Sequence, residues 1–155
     1  MTDNVYNLNE ILTDWCVNVI KRIRENLDAT HTTASGKTKE SLEFELTDYG
    51  VIITARPFAK GVETGRPGGG IPRNMTDIIS QWIIDKGIES HFEIKNPSQL
   101  RSVAYLIGQK IKREGTELYR EGGRTDIYTE PSHEELEKLY DLLFHEVEAE
   151  IHNKL

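Results

Sequence analysis

The chain has little cysteine and no long apolar run, and each shortage excludes a class of protein. Cys16 is the single cysteine among 155 residues, which excludes an internal disulfide and a cysteine-rich metal site. No apolar run approaches the roughly 18 residues that span a bilayer, and the polar start lacks the basic and apolar regions of a secretion signal. We therefore expect no membrane partner, and synthesis and use in the cytoplasm or in a particle assembled there.

Basic residues are outnumbered by acidic ones, 19 against 26, and the charges are unevenly placed. The net charge of −7 argues against a sequence-independent nucleic-acid binder with a broad basic face. Residues 130–155 carry eight acids, among them Glu146, Glu148 and Glu150, against two lysines, whereas residues 56–73 carry four basic residues against Glu63. The two segments suit a head-to-tail contact between copies, or they are two solvated faces that never meet.

Hydrophobic spacing predicts a single α+β domain over residues 1–155, with about four helices around a small antiparallel sheet. Apolar residues recur at helical spacing in four segments and alternate, or run together, in two shorter ones. The predicted helices cover residues 8–28, 74–86, 96–115 and 132–151, and the predicted strands cover 41–47 and 51–55 and form a hairpin. We expect Gly87 to end the second helix, Asn96 or Ser98 to cap the third, and a capping box at Ser132 to begin the fourth. We expect a loop over residues 116–124 and a short strand or extended arm over 126–129.

One long loop is rich in glycine and proline. Three of the five prolines and five of the twelve glycines lie between residues 57 and 72. So much backbone freedom with so little apolar content does not fit a packed core segment. A loop of this length in a small domain is usually functional, or ordered only by a partner. We interpret residues 64–73 as a flexible assembly arm, which favours a building block over an enzyme.

The predicted assembly interface combines this loop with the residues just before it. Its members are Phe58, Lys60, Glu63, Arg66, Pro67, Gly68, Gly69, Gly70, Ile71 and Arg73. Ordering a flexible segment costs roughly 1–2 kcal/mol per residue, which avidity in a closed oligomer can offset. In a ring, the acidic helix with Glu146, Glu148 and Glu150 would either repel DNA in the bore or pair with the basic loop of the next copy.

Sites for nucleotides, metals and covalent catalysis are weakly supported. The Gly36-Lys37-Thr38 segment lacks the earlier glycine and the preceding buried strand of a phosphate-binding loop. His145 and His152 lie on one helix face roughly 10 Å apart, which is too far for both to bind one metal ion. We therefore predict no catalytic residue, no cofactor and no metal site.

Three side chains on apolar helix faces are interpreted as core residues. Cys16 has the spacing of a packed small hydrophobic residue rather than that of a nucleophile. Trp15 and Trp82 both fall on apolar stripes, and exposure at a subunit contact is the alternative for each.

The order of these elements resembles the tail-completion proteins of tailed bacteriophages, which are neck or minor tail components. In that family a strand leads into an aromatic-Ala-x-x-Val-Glu-x-Gly segment, which corresponds here to residues 58–65 (FAKGVETG). A later helix ends in a basic-x-Gly-Thr signature, which corresponds to residues 112–116 (KREGT). A helix after a proline-containing segment closes the domain, as residues 128–155 would. The likeness covers roughly residues 8–150, although the loop from Gly65 to Pro72 is longer than the usual turn.

The resemblance implies a small α+β structural protein that forms a ring, commonly of six or twelve copies, at the head–tail junction of a virion. It implies contacts with portal or connector and tail proteins, and DNA passing through the bore without sequence-specific binding. It brings no catalytic residues and no cofactor, and it implies assembly in the host cytoplasm. The alternative is a small phage or bacterial regulatory protein that binds a host partner through the glycine-rich basic loop.

Overall fold

Helices dominate the fold, and the long ones form where apolar residues recur at helical spacing. The computed structural model describes the backbone of residues 3–154 and the side chains of residues 8–153. The helices are α1 (Asp3–Ala29), α2 (Lys37–Glu40), α3 (Gly61–Thr64), α4 (Met75–Lys86), α5 (Pro97–Glu114), α6 (Glu117–Arg120) and α7 (Thr129–Lys154). The predicted four helices correspond to the long ones, and the count is wrong because helices of a single turn are too short to show a periodic pattern.

The sheet is a single hairpin. Strand β1 (Glu43–Thr47) pairs antiparallel with β2 (Gly50–Thr54), which confirms the predicted α+β class and the hairpin. Phe44 and Ile53 are register partners, and both pack toward α1. Strand β2 is the less exposed of the two.

The first hydrophobic cluster lies between α1, the hairpin and the start of α7. Its buried members are Val19, Ile20, Ile23, Leu27, Leu42 and Ile127. The α1 residues follow the predicted spacing, but Ile127 lies in a turn over residues 126–128, where the sequence predicted a strand or an extended arm. That prediction is wrong because one isolated apolar residue carries no periodicity from which its conformation can be inferred.

The second hydrophobic cluster joins α4 to α5. Its buried members are Met75, Ile79, Ile83 and Ala104. Gly108 of α5 is also buried, and a Cβ there would lie 3.4 Å from the side chains of Met75 and Ile79. A Cβ at that distance would make ordinary van der Waals contact, so this helix contact does not depend on a glycine at 108.

Two predicted helix ends are confirmed and one is wrong. Gly87 ends α4 in the left-handed conformation, and the Asn96 side chain accepts a hydrogen bond from the Gln99 backbone N–H at 2.9 Å at the start of α5. Helix α7 begins at Thr129, so Ser132, the predicted cap, lies inside its first turn. The last residue of the predicted closing segment, Leu155, lies outside the described residues.

The three residues interpreted as core differ in their burial. Cys16 is fully buried, which confirms its packing role, and burial raises the pKa of its thiol to about 11. Trp15 is half-buried, and its Nε1–H donates to the backbone carbonyl of Glu135 at 2.8 Å, which ties α1 to α7. The core prediction is wrong for Trp82, because its side chain is 41% exposed.

Candidate assembly interface

The segment that follows β2 has both solvent-exposed and inward-facing side chains. Pro57 opens a 3₁₀ turn (Pro57–Lys60), which continues directly into α3. Phe58 is 80% exposed, whereas Val62 packs against the first hydrophobic cluster and Glu63 is only 3% exposed. The segment therefore presents an aromatic ring to solvent and a carboxylate to the interior.

Glu63 caps the start of α7 from a distant part of the chain. Its Oε1 accepts backbone N–H bonds from Ile127 at 3.0 Å, Tyr128 at 2.6 Å and Thr129 at 3.0 Å. Its Oε2 accepts the Thr129 hydroxyl at 2.5 Å. Amides at a helix start have no acceptor within the helix, and a negative charge there is favoured by the helix dipole. This carboxylate takes the place of the capping box predicted at Ser132.

The backbone of Glu63 fixes the chain that enters α7. Its carbonyl oxygen accepts the Arg124 N–H at 2.8 Å. Gly123 has φ +82°, and a Cβ there would lie 2.7 Å from that same oxygen. The Arg124 guanidinium pairs with both oxygens of Asp126, at 2.6 and 2.7 Å, and holds the pKa of that carboxyl below its usual value. One glutamate thus organises the connection over residues 123–129.

The next residues contact the end of α5. The Arg66 N–H donates to Thr116 Oγ1 at 2.9 Å, and the Thr116 N–H donates to the Arg66 carbonyl at 2.9 Å. Gly65 has φ +66°, and a Cβ there would overlap the backbone nitrogen of Tyr119. Gly115 has φ +80°, and a Cβ there would lie 2.7 Å from the Arg66 carbonyl. The ends of segments 58–65 and 112–116 therefore meet through Gly65, the adjoining Arg66 and Thr116. We call this contact, together with Glu63 and its partners at the start of α7, the Glu63–Thr116 junction.

The glycine loop continues along the same helix end. The Gly69 N–H donates to the Lys112 carbonyl at 2.8 Å. Gly68 lies against the Arg113 carbonyl, which would be 3.1 Å from a Cβ at that position. The last carbonyl groups of a helix receive no hydrogen bond from within the helix, so the N–H of a loop residue can donate to one of them.

The rest of the loop is also fastened to this chain. The Arg66 guanidinium donates to the Gly70 carbonyl at 2.5 Å, and Ile71 packs against the second hydrophobic cluster. The sequence predicts an arm that extends from the domain, whereas the structure lays residues 65–71 against α5 and the α4–α5 core. Composition indicates freedom of the backbone but does not reveal the acceptors that hold it.

The predicted interface residues divide into three groups by exposure. The exposed ones are Phe58, Lys60, Pro67, Gly68, Gly69, Gly70 and Arg73, the half-buried ones are Arg66 and Ile71, and the buried one is Glu63. Because Glu63 is buried and its carboxylate is bonded to the start of α7, its role is internal. Phe58 and the basic loop remain available for a surface contact.

The three predicted acidic residues of α7 do not share one face. Glu148 is exposed and lies 3.8 Å from Nδ1 of His145. Glu146 and Glu150 are half-buried and continue the helical row of the buried Leu139. Residues two apart on a helix point in widely different directions, so Glu148 lies on another side from the other two.

A charge cluster between α1 and α7 has no counterpart in the sequence-based predictions. Glu135, nearly buried, accepts from Arg22 at 2.8 Å and from Lys138 at 2.7 Å. Lys138 and then Arg22 hold the pKa of this carboxyl below its usual value. The spacing of Glu135 and Lys138 on one helix could be read from the sequence. That Arg22 of α1 also pairs with Glu135 could not.

The Gly36-Lys37-Thr38 segment forms a turn and the start of a short helix. Gly36, with φ +78°, precedes the single-turn helix α2, so Lys37 and Thr38 begin a helix of four residues. Within the part of the chain that the structure describes, no group of three or more His, Cys, Asp or Glu side chains is placed to hold a metal ion. Among the helices of residues 3–154, none is long and apolar enough to cross a membrane.

Comparison with known proteins finds no relative of this chain. No protein-family model, no curated protein and no solved structure matches it.

Proposed function

We propose that this protein is a structural component of a tailed-phage virion, forming a ring at the neck that joins the portal or connector to the tail. The observation that carries the proposal is the Glu63–Thr116 junction. There Gly65, which ends the first segment in which the sequence resembles tail-completion proteins, and the adjoining Arg66 lie against Gly115 and Thr116, which end the second.

The junction supports the resemblance because its residues meet strict stereochemical demands. Glu63 supplies one carboxylate to four donors, and its burial would be costly without them. Gly65 and Gly115 occupy left-handed conformations with no room for a Cβ. Thr116 both donates and accepts across the contact. The ends of two short motifs, each of which is permissive by itself, are thus in contact.

The junction also suits a subunit that has to keep its shape in an assembly. It ties the segment after the hairpin to the C-terminal end of α5 and to the start of α7. Surface groups on these elements therefore keep fixed relative positions. Phe58, exposed beside the junction, is an apolar group of the kind that is enriched at protein contacts.

The decisive experiment is to look for the protein in purified virions. Mass spectrometry and antibody labelling of tailed particles should place it at the neck in a small, fixed copy number. Light scattering and negative-stain images of the purified protein should show closed rings, or monomers that assemble only on the preceding connector. Absence from virions, together with capture of a single host protein from infected cells, would instead establish the regulatory alternative.

An exposed residue allows the surface role to be tested without disturbing the fold. The Phe58→Ser variant should fold normally, because the Phe58 side chain is exposed to solvent. It should nevertheless fail to join phage heads to tails. Tyr49→Ser, at the fully exposed hairpin turn, is the matched control and should give normal particles. Normal particles from Phe58→Ser would remove Phe58 from the interface.

A further inference from the structure

Helix α7 carries an apolar stripe that remains in solvent. Tyr140, Phe144, Val147 and Ile151 follow one another at spacings of four, three and four residues, which places them on one face. Each of these side chains is between 55% and 69% exposed. The stripe lies beside the row of Leu139, which is buried, so α7 has one packed face and a second, unpartnered one. A contiguous exposed stripe of this kind marks an interaction surface.

The solvent side of the stripe is acidic. Glu137, Asp141 and Glu148 are all exposed and lie on its flank away from the Leu139 row. Two α7 helices packed stripe to stripe would bring these acids together, which is unfavourable. The chemistry of the surface therefore calls for a partner with apolar side chains flanked by basic ones.

The exposed face of α5 has that complementary chemistry. Tyr105 and Leu106 are both more than half exposed, on the side opposite the α4–α5 core. An open depression beside them is lined by Thr76, Ser98, Arg101, Ser102, Tyr105 and Leu106. Basic residues border this apolar pair on both sides. At helical spacing Arg101 and Lys112 lie beside Tyr105, whereas Lys110 and Arg113 lie beside Leu106, and all four are exposed.

Acidic neighbours neutralise only part of this basic face. Arg101 pairs with Asp77 at 2.9 Å, and Arg113 pairs with Glu114 at 2.6 Å. Arg113 and Lys110 both lower the pKa of the Glu114 carboxyl, and Lys112 adds a fourth positive charge. The Lys112 backbone carbonyl accepts the Gly69 N–H, so the glycine loop lies next to the basic border of the α5 face.

The two faces also match in length. At about 1.5 Å per residue, the stripe from Tyr140 to Ile151 is about 17 Å long and the α5 face from Arg101 to Arg113 about 18 Å. Both remain exposed in the single chain, since α7 packs its other side on α1 and α5 packs its other side on α4. A contact between the α7 stripe and the α5 face would therefore join two copies of the chain.

We propose that the α7 stripe of one copy packs on the α5 face of the next copy. The contact is head-to-tail, because it uses two different surfaces, and repetition of it closes into a ring or continues as a filament. The contact names the surfaces that would join neighbouring subunits of the proposed ring. Its place in a virion rests on the proposed function.

Cross-linking between differently labelled copies tests the contact whether or not the free protein forms rings. The variants are Ser102→Cys on α5 and Glu148→Cys on α7, which leave the apolar contact residues intact, and Asp48→Cys on the hairpin turn as a control with the same charge loss. Buried Cys16 should not react, so wild type reports the background. A short bismaleimide should join Ser102→Cys to Glu148→Cys about tenfold faster than Ser102→Cys to Asp48→Cys, because docking raises the effective concentration.

A charge exchange adds specificity to the same assay. Lys110→Glu with Lys112→Glu in the α5 partner should abolish the preference, and Glu137→Lys with Asp141→Lys in the α7 partner should restore it. The proposal is overturned if the mixed pair reacts no faster than the control. It is also overturned if Glu148→Cys cross-links fastest with itself, which would indicate an α7–α7 contact.

The outcomes separate this proposal from the proposed function. A virion neck that contains the protein, without preferential cross-linking, would leave the function standing and refute the contact. Preferential cross-linking of a protein absent from virions would establish the contact and refute the neck assignment.

Discussion

The two hydrophobic clusters of this protein are assembled from sequence in different ways. The α4–α5 cluster uses two helices that are neighbours in the chain, and its buried residues lie between residues 75 and 104. The other cluster joins α1 to Ile127, which follows Leu27 by 100 residues. Local clusters are visible in the spacing of the residues that form them, whereas a distant partner has to be found by folding.

The Glu63–Thr116 junction connects these two regions through hydrogen bonds. Glu63 binds the start of α7, beside the first cluster, and three residues later Arg66 binds the end of α5, beside the second. We therefore expect the clusters to unfold together, because one short segment is bonded to both.

The largest effects should come from emptying one core position in each cluster. Ile127→Ala and Ile83→Ala both remove a fully buried side chain and should each lower the free energy of unfolding by about 2–5 kcal/mol. Urea denaturation followed by circular dichroism should show one transition in both variants. Two separate transitions, each sensitive to only one of the substitutions, would contradict coupling through the junction.

The next largest effect should come from the cap of α7. Glu63→Ala leaves several donors without an acceptor and should cost about 3 kcal/mol of stability. Glu63→Gln keeps one acceptor oxygen and should cost less. Glu134→Gln, at an exposed position, is the control for the loss of one charge. Equal urea-denaturation midpoints for Glu134→Gln and Glu63→Ala would mean that the buried cap contributes nothing to stability.

A smaller effect is expected where backbones approach closely at the junction. Gly65→Ala combines a left-handed backbone with an overlap on Tyr119 and should cost about 2 kcal/mol. Gly70→Ala, in the same loop with open space around its Cβ position, should cost far less. Thermal unfolding of the two variants measures the difference directly. Equal melting temperatures would show that the loop is not held against α5 in solution.

The smallest effect concerns pH and the charge cluster between α1 and α7. Lys138 and Arg22 lower the pKa of Glu135 in the folded state, so the unfolded chain takes up this proton at a higher pH. The resulting stability is present above about pH 4.3 and is lost as the pH falls through the lower folded pKa. Its size should stay below about 1 kcal/mol because Lys138 is exposed to solvent. Glu135→Gln should flatten the acid limb of a stability–pH curve, and an unchanged limb would rule the contribution out.

Sequence reasoning worked best where a residue acts on its near neighbours. The long helices, the hairpin, the end of α4 at Gly87 and the cap at Asn96 all follow from spacing and local backbone chemistry. The candidate interface was predicted less well, because its loop was interpreted from composition alone. Composition shows that residues 65–71 have freedom to move, but the acceptors that hold them belong to α5, more than 40 residues later.

The sequence by itself determined the α+β class, the four long helices and the presence of a loop that could not be core, because these depend on periodicity and on the stereochemistry of glycine and proline. Only the tertiary structure decided that Glu63 caps α7 and that the glycine loop lies on α5. The physical reason is that a buried carboxylate and an unpaired backbone group are stable only beside their partners, and those partners are brought to them by folding.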